Sequence, residues 1–174
     1  MISPKTFFNE LVRNGVSKFS GVPDSLLKYF CAYVSDNSKK GSHIITANEG
    51  SAIALAAGQY VASGKPSLVY MQNSGFGNAL NPLLSLADPE VYGVPMILMI
   101  GWRGEPGVKD EPQHIKQGSK MVPLLIACDI PYFFLNSNEK NIPEYVEKVT
   151  KCAKENYSPV VILVQKNTFS LYKS

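Results

Sequence analysis

The chain has 174 residues, 45% of them hydrophobic and 18% charged, an ordinary globular balance with enough length for one domain and a sizeable core, and too apolar for a disordered chain. Its net charge of +3, from 17 basic and 14 acidic residues, is too weak and too scattered to indicate a nucleic-acid or membrane surface. No apolar stretch approaches the ~20 residues needed to cross a bilayer, which also argues against a membrane protein.

Taken in chain order, the pattern alternates helix and strand. Pro4 to Asn14 reads as a helix, Ser17 to Gly21 as a short strand, and Asp24 or Ser25 as the cap of a second helix carrying Leu26, Leu27, Phe30 and Val34. A strand over Ser42 to Thr46 precedes an Ala-rich helix over Asn48 to Ser63, ended by Gly64 and Pro66. A strand over Ser67 to Met71, a helix over Gly77 to Ala87 and the most apolar strand, Pro95 to Ile100, follow. A polar loop rich in Gly, Pro and charge spans Gly101 to His114. Lys120 to Cys128 then reads as helix, Tyr132 to Leu135 as strand, Ile142 to Asn156 as an amphipathic helix and Val160 to Val164 as a last buried strand. Such alternation predicts one α/β domain over residues 1–174, a parallel sheet of about six strands with helices on both faces.

Ligands of such sheets bind at the carboxyl ends of the strands, so the loops that follow strands hold the candidates. Glu49 stands at a strand-to-helix corner ahead of a helix built of Ala, Gly, Ile and Leu, which leaves a carboxylate little water. Burial of that kind favours proton-transfer chemistry; the alternative is that Glu49 only complements the helix dipole. The stretch Gln72-Asn73-Ser74-Gly75-Phe76-Gly77-Asn78 makes a turn that a ligand could approach closely, or an ordinary tight turn, without the Lys and spacing of a Walker loop. Asp24 is an N-cap, a site carboxylate or both. The Gly101 to His114 loop has the length of a functional lid and carries the only Trp, His114, Arg103 and Lys109. Arg103 either grips an anion or pairs with Glu105 or Asp110 at the surface. His43, inside an apolar strand, reads as structural. Cys31 and Cys128 read as small buried hydrophobes, and Cys31, Cys128 and Cys152 keep no metal spacing. With no secretion signal at the N-terminus, a reduced, cytoplasmic protein is expected.

In order along the chain, Gly-Val-Pro-Asp24, Asn48-Glu-Gly-x-Ala-x-x-x-Ala-Ala-Gly58, Gln72-Asn-Ser-Gly-x-Gly-Asn78, Asn81-Pro-Leu-Leu-Ser-Leu86, Ile100-Gly-Trp-Arg-Gly-Glu-Pro-Gly107 and Asp110-Glu-Pro-Gln-His114 resemble one family. It is the N-terminal, pyrimidine-binding domain of the thiamine-diphosphate-dependent phosphonopyruvate decarboxylases, with the sulfopyruvate decarboxylase alpha subunits as close kin. The resemblance implies thiamine diphosphate as cofactor, contacts to it from Glu49, Gln72, Asn73, Ser74, Gly75 and Asn78, and a carboxylic acid at its pyrimidine N1′, the position Glu49 matches. It implies catalytic places for Asp24 and His114, although relatives often carry a His-His pair where this chain has Gln113-His114. A 2-oxo acid with a terminal anion is the implied substrate, and Arg103, Lys109 and Lys116 are the cations expected to hold it. No Gly-Asp-Gly motif for Mg²⁺ and diphosphate occurs, so the metal is expected on a second domain or a beta subunit, in a homo- or hetero-oligomer, with no metal ligand here. A non-catalytic assembly domain is the competing reading.

Overall fold

The computed structural model describes residues 1–173. Six parallel strands form one sheet in the order β2-β1-β3-β4-β6-β5. They are β1 (Phe19–Gly21), β2 (His43–Ile45), β3 (Ser67–Gln72), β4 (Met96–Gly101), β5 (Tyr132–Leu135) and β6 (Pro159–Val164). Six α-helices connect or flank them: α1 (Pro4–Arg13), α2 (Lys28–Asn37), α3 (Glu49–Ser63), α4 (Phe76–Pro82), α5 (Pro112–Ala127) and α6 (Ile142–Asn156). This is the α/β class and strand count that the alternation predicts.

The two faces of the sheet explain which residues went where. Side chains alternate along a strand, so β4 sends Ile97 and Met99 to one face and Met96, Leu98 and Ile100 to the other. The first face packs under α1, α2 and α6 through residues such as Phe7, Leu11, Phe30 and Val149. The second packs under α3, α4 and α5 through Ala52, Ile53, Ala56, Phe76 and Leu125. Each fully buried Leu, Ile or Met is worth roughly 1.5–3 kcal/mol, so a strand apolar on both faces belongs in the middle. The edge strand β2 shows the converse, with Ile44 and Ile45 exposed.

Helix ends obey local chemistry in places. Asn48 caps α3 by accepting the Ser51 amide at 2.9 Å, and Gly64 ends it in the left-handed region at φ 66°. Two expectations fail. The second helix begins at Lys28, and Asp24 does not cap it; its Oδ2 accepts the Leu26 amide at 2.9 Å and closes a turn ahead of it. The polar loop ends at Glu111, because Pro112 sits well in a first helical turn and starts α5 eight residues before the expected Lys120. His114 and Lys116 are therefore helical. Between β3 and β4 the chain makes a 3-10 turn (Asn73–Gly75), then α4, then a π turn (Leu83–Ala87) after Pro82, whose missing N–H interrupts the α pattern.

Candidate active site

From β1 the chain crosses outward to β2, and from β3 it crosses the other way to β4. The crevice of a doubly wound sheet opens where connections diverge, here between the carboxyl ends of β1 and β3. The loops at that point carry Asp24 on one side and Asn73 to Asn78 on the other, and Glu49 arrives from the end of β2.

Glu49 is the first residue of α3 and is 8% exposed. Among the described residues no amide of its own helix donates to the carboxylate, and its hydrogen-bond partner comes from another element. The Asn78 side chain donates to its Oε2 at 2.8 Å, and Oε1 lies against Gly75. A Cβ on Gly75 would stand 2.1 Å from Oε1, so only glycine leaves space for this carboxylate. Gly75 has no left-handed backbone. The expected tight turn is thus replaced by a 3-10 turn, and its glycine serves side-chain clearance. Gly50 clears the same junction, since a Cβ there would meet the Asn78 carbonyl at 2.7 Å.

Asp24 is 5% exposed, and burial pushes its carboxyl above the ordinary value while the backbone amides of the loop and the Arg103 charge pull the other way. Its Oδ1 is buried without a hydrogen-bond partner. Its Oδ2 lies against Gly101 at the end of β4, where a Cβ would come within 2.1 Å. An unpartnered buried acceptor at a strand-end crevice is an arrangement that a ligand's donor completes. Gly101, which the sequence places only at the head of the polar loop, thus clears room for the Asp24 carboxylate; a glycine closing the most apolar strand is the signal for it.

Other expected residues fall elsewhere. Asn73 is 2% exposed, and its amide brackets one peptide: Nδ2 donates to the Arg103 carbonyl at 2.9 Å and Oδ1 accepts the Arg103 amide at 3.1 Å. Its side chain, like that of Asn78, is used on the protein itself. The Asn73 amide is buried and used at both ends, whereas Asn78 is exposed and gives one N–H to Glu49. Gln72 donates to Ser74 at 2.6 Å, and Ser74 is exposed at the rim. Arg103 makes the ion pair with Asp110, both side chains largely buried. Nε and Nη2 reach the two oxygens of Asp110 at 2.8 and 2.5 Å, and Nη1 reaches Ser25 Oγ at 2.9 Å. The guanidinium holds the Asp110 carboxyl well below the usual range and is itself raised. Lys109 and Lys116 are exposed. His114 is half-buried in the first turn of α5, its carbonyl packed on Gly104, and the structure does not gather it with Glu49 and Asp24 by hydrogen bond or shared cavity. The polar loop ends earlier than the sequence suggests, which puts His114 on α5. His43 bonds the buried Tyr70 hydroxyl at 2.7 Å. Cys31 is buried, and its thiol is pushed up to about 12; Cys128 is only half-buried. Among the described residues no three His, Cys, Asp or Glu stand together as a metal-holding group, and no helix is long and apolar enough to cross a membrane.

Residues 4–123 match the family of thiamine pyrophosphate enzymes, N-terminal TPP binding domain. A phosphonopyruvate decarboxylase of Streptomyces hygroscopicus is 37% identical over 136 residues, 78% of this chain and 33% of that protein. A sulfopyruvate decarboxylase subunit alpha of Methanococcus maripaludis is 32% identical over 155 residues, 89% of this chain and 87% of that one. The chain thus spans about a third of the length of the phosphonopyruvate decarboxylase and nearly all of the subunit alpha. Among solved structures, the thiamine diphosphate-dependent 4-hydroxybenzoylformate decarboxylase of Rhodococcus jostii RHA1 shares the fold at a TM-score of 0.68 with 19% identity, over 93% of this chain and 29% of that one. On these grounds the chain belongs to the thiamine pyrophosphate enzyme family, and it is built as that family's N-terminal cofactor-binding domain.

Proposed function

We propose that the chain supplies the pyrimidine-binding half of the active site of an enzyme that decarboxylates 3-phosphonopyruvate to phosphonoacetaldehyde and CO2. The observation that carries this reading is Glu49: a buried carboxylate at the strand ends, bonded by Asn78 and given its space by Gly75. When bound, thiamine diphosphate supplies the electron sink that accepts the electron pair released as CO2 leaves. The site fits it in kind, since a ring-nitrogen acceptor needs a carboxylic acid beside it and Glu49 is held in one orientation. In this reading Glu49 holds or gives a proton at pyrimidine N1′. Asp24, buried at the crevice with an Oδ1 that lacks a partner, exchanges a proton on the side of the reacting acid. Gln72 and Ser74 line the rim, and Asn73, Gly75 and Asn78 position.

The Mg²⁺ and the diphosphate would be held by a second domain or a partner subunit. The difference in length between this chain and its phosphonopyruvate decarboxylase relative supports that division. So does an apolar surface groove of ≈ 630 Å³ on α3, lined by Ala54, Gly58, Val61, Tyr92 and others, with Val61 82% exposed. An oligomer, homo- or hetero-, formed in the cytoplasm, follows from the same reading. The match in extent to the Methanococcus maripaludis protein favours a second substrate, sulfopyruvate. Assay of the completed enzyme with both 2-oxo acids separates the two.

The test of the main reading is to combine the chain with a diphosphate-binding half and replace Glu49→Gln. The amide cannot give N1′ a proton, so cofactor C2 hydrogen exchange and kcat should fall by roughly 10²–10⁴-fold. The chain alone should show no turnover. Turnover near the parent rate in the variant would refute the assignment.

A further inference from the structure

A cavity of ≈ 290 Å³ lies at the carboxyl edge of the sheet, beside the crevice that holds Asp24. Ser25 and Lys28 line it from the segment after β1, Trp102 and Arg103 from the loop after β4, and Lys166 from the segment after β6. Of these cations, the family resemblance implies only Arg103 as a substrate ligand. Lys109 and Lys116, the other cations expected to serve the substrate, line no part of it.

The polar groups of this cavity are unevenly committed. Asp110 accepts two bonds at each oxygen: Oδ1 takes Arg103 Nη2 at 2.5 Å and the Glu111 amide at 2.8 Å, and Oδ2 takes Arg103 Nε and the Gly104 amide, each at 2.8 Å. A carboxylate so used has no acceptor capacity to spare and acts as an anchor. Glu105, the other acid in the wall, is bonded by the Gln165 side chain. A guanidinium has five N–H donors. Arg103 spends three of them, two on Asp110 and one on Ser25, so two remain. The Asn73 amide fixes the Arg103 peptide from both sides, which makes the fork a rigid one. Lys28, placed over the Tyr29 ring at 4.7 Å, and Lys166 add two ammonium groups on flexible stems.

Two oriented donors with two mobile cations suit a small, doubly charged, tetrahedral oxyanion better than a planar carboxylate. We propose that this cavity seats the terminal phosphonate of the substrate, with Arg103 as the fixed donor and Lys28 and Lys166 closing on it. The assignment rests on the reading of the chain as half of a phosphonopyruvate decarboxylase, and it names the specificity residues of that enzyme. The Arg103–Asp110 pair, on this view, is what orients the fork, so the pair and the anion seat are one device.

The chain carries a reporter, since its single tryptophan, Trp102, lines the cavity. Titration of the 174-residue chain with methylphosphonate should change Trp102 fluorescence saturably, and acetate should not. Phosphonopyruvate should give the same response and pyruvate none. Lys28→Ala and Lys166→Ala, at exposed positions that leave the fold alone, should each weaken the methylphosphonate response by ~10-fold or more, as should Arg103→Lys. A response that is absent, or unchanged in both lysine variants, overturns the seat. A response to inorganic phosphate that phosphonopyruvate does not reproduce marks a free-phosphate site and overturns the substrate assignment. Because no turnover is read, saturation here together with a completed enzyme that fails to decarboxylate phosphonopyruvate would reject the proposed function and leave the seat standing.

Discussion

Two carboxylates at the crevice are held in opposite ways. Glu49 is given a donor by Asn78, and Asp24 keeps one oxygen without any. The cost of that at Asp24 depends on pH. Its folded-state pKa lies above the unfolded value because burial disfavours the charge. The folded protein therefore binds the proton more tightly, and this contribution to stability is fully present below the ordinary carboxyl value of 3.8 and is lost as pH rises through the raised one. Asp24→Asn keeps an acceptor for the Leu26 amide and carries no charge. Its Tm should exceed that of the parent at neutral pH, with the gap narrowing as pH falls toward 3.8, while activity of the completed enzyme drops. A gap independent of pH across a melting series would mean that Asp24 is not ionised at the expense of stability. Residue by residue, Glu49 and Asp24 were legible because each ends a strand-to-helix corner. The bonds that Asn73 and Asn78 make to the protein were not, since neither the residue type nor its place after β3 tells whether an Asn faces a ligand or the protein.

At the scale of elements, the loop after β4 is fastened to α5 by backbone contact. Gly104 is left-handed at φ 69°, and a Cβ there would meet the His114 carbonyl at 2.0 Å. Within α5, a Cβ on Gly118 would meet the Gly104 carbonyl at 1.8 Å, and the Gly118 carbonyl accepts the Trp102 indole N–H at 2.9 Å. Glycine inside a helix ordinarily costs ~1 kcal/mol against alanine. Here the sign should reverse: Gly118→Ala should destabilise by ~1–3 kcal/mol, because the loop must lift away from the helix to admit the methyl. Thermal melts decide it, and a rise in Tm would show that the loop is not seated as described. The early start of α5 was hard to read for a related reason. Pro112 opens a helix as readily as it ends one, and the run Pro112-Gln-His-Ile-Lys-Gln-Gly118 is polar on most sides because it packs backbone to backbone through Gly118. The strands were easier, since Met96-Ile-Leu-Met-Ile100 and Val160-Val-Ile-Leu-Val164 are apolar on both faces and too short for helices.

For the whole molecule, the alternation of elements gave the sheet and its parallel sense, but strand order is not a property of any local stretch. Nothing between Ile142 and Val164 announces that β6 inserts between β4 and β5 rather than adding at the edge. That insertion has a consequence for how the protein is made. All six residues of β6 pair with β4, from Met96↔Pro159 to Gly101↔Val164, and four also pair with β5, from Tyr132↔Val161 to Leu135↔Val164. While a ribosome is still translating α6, β5 has no neighbour and the most apolar strand of the protein stands at an open edge, able to pair with other chains. A stalled nascent chain with everything through Asn156 outside the exit tunnel should therefore stay sensitive to protease and prone to aggregate, and one with Phe169 also outside should be resistant. Resistance at the shorter length would show that the first four strands fold without waiting for the last. The birth of this domain is thus set to be slow and all at once, an interior strand arriving last.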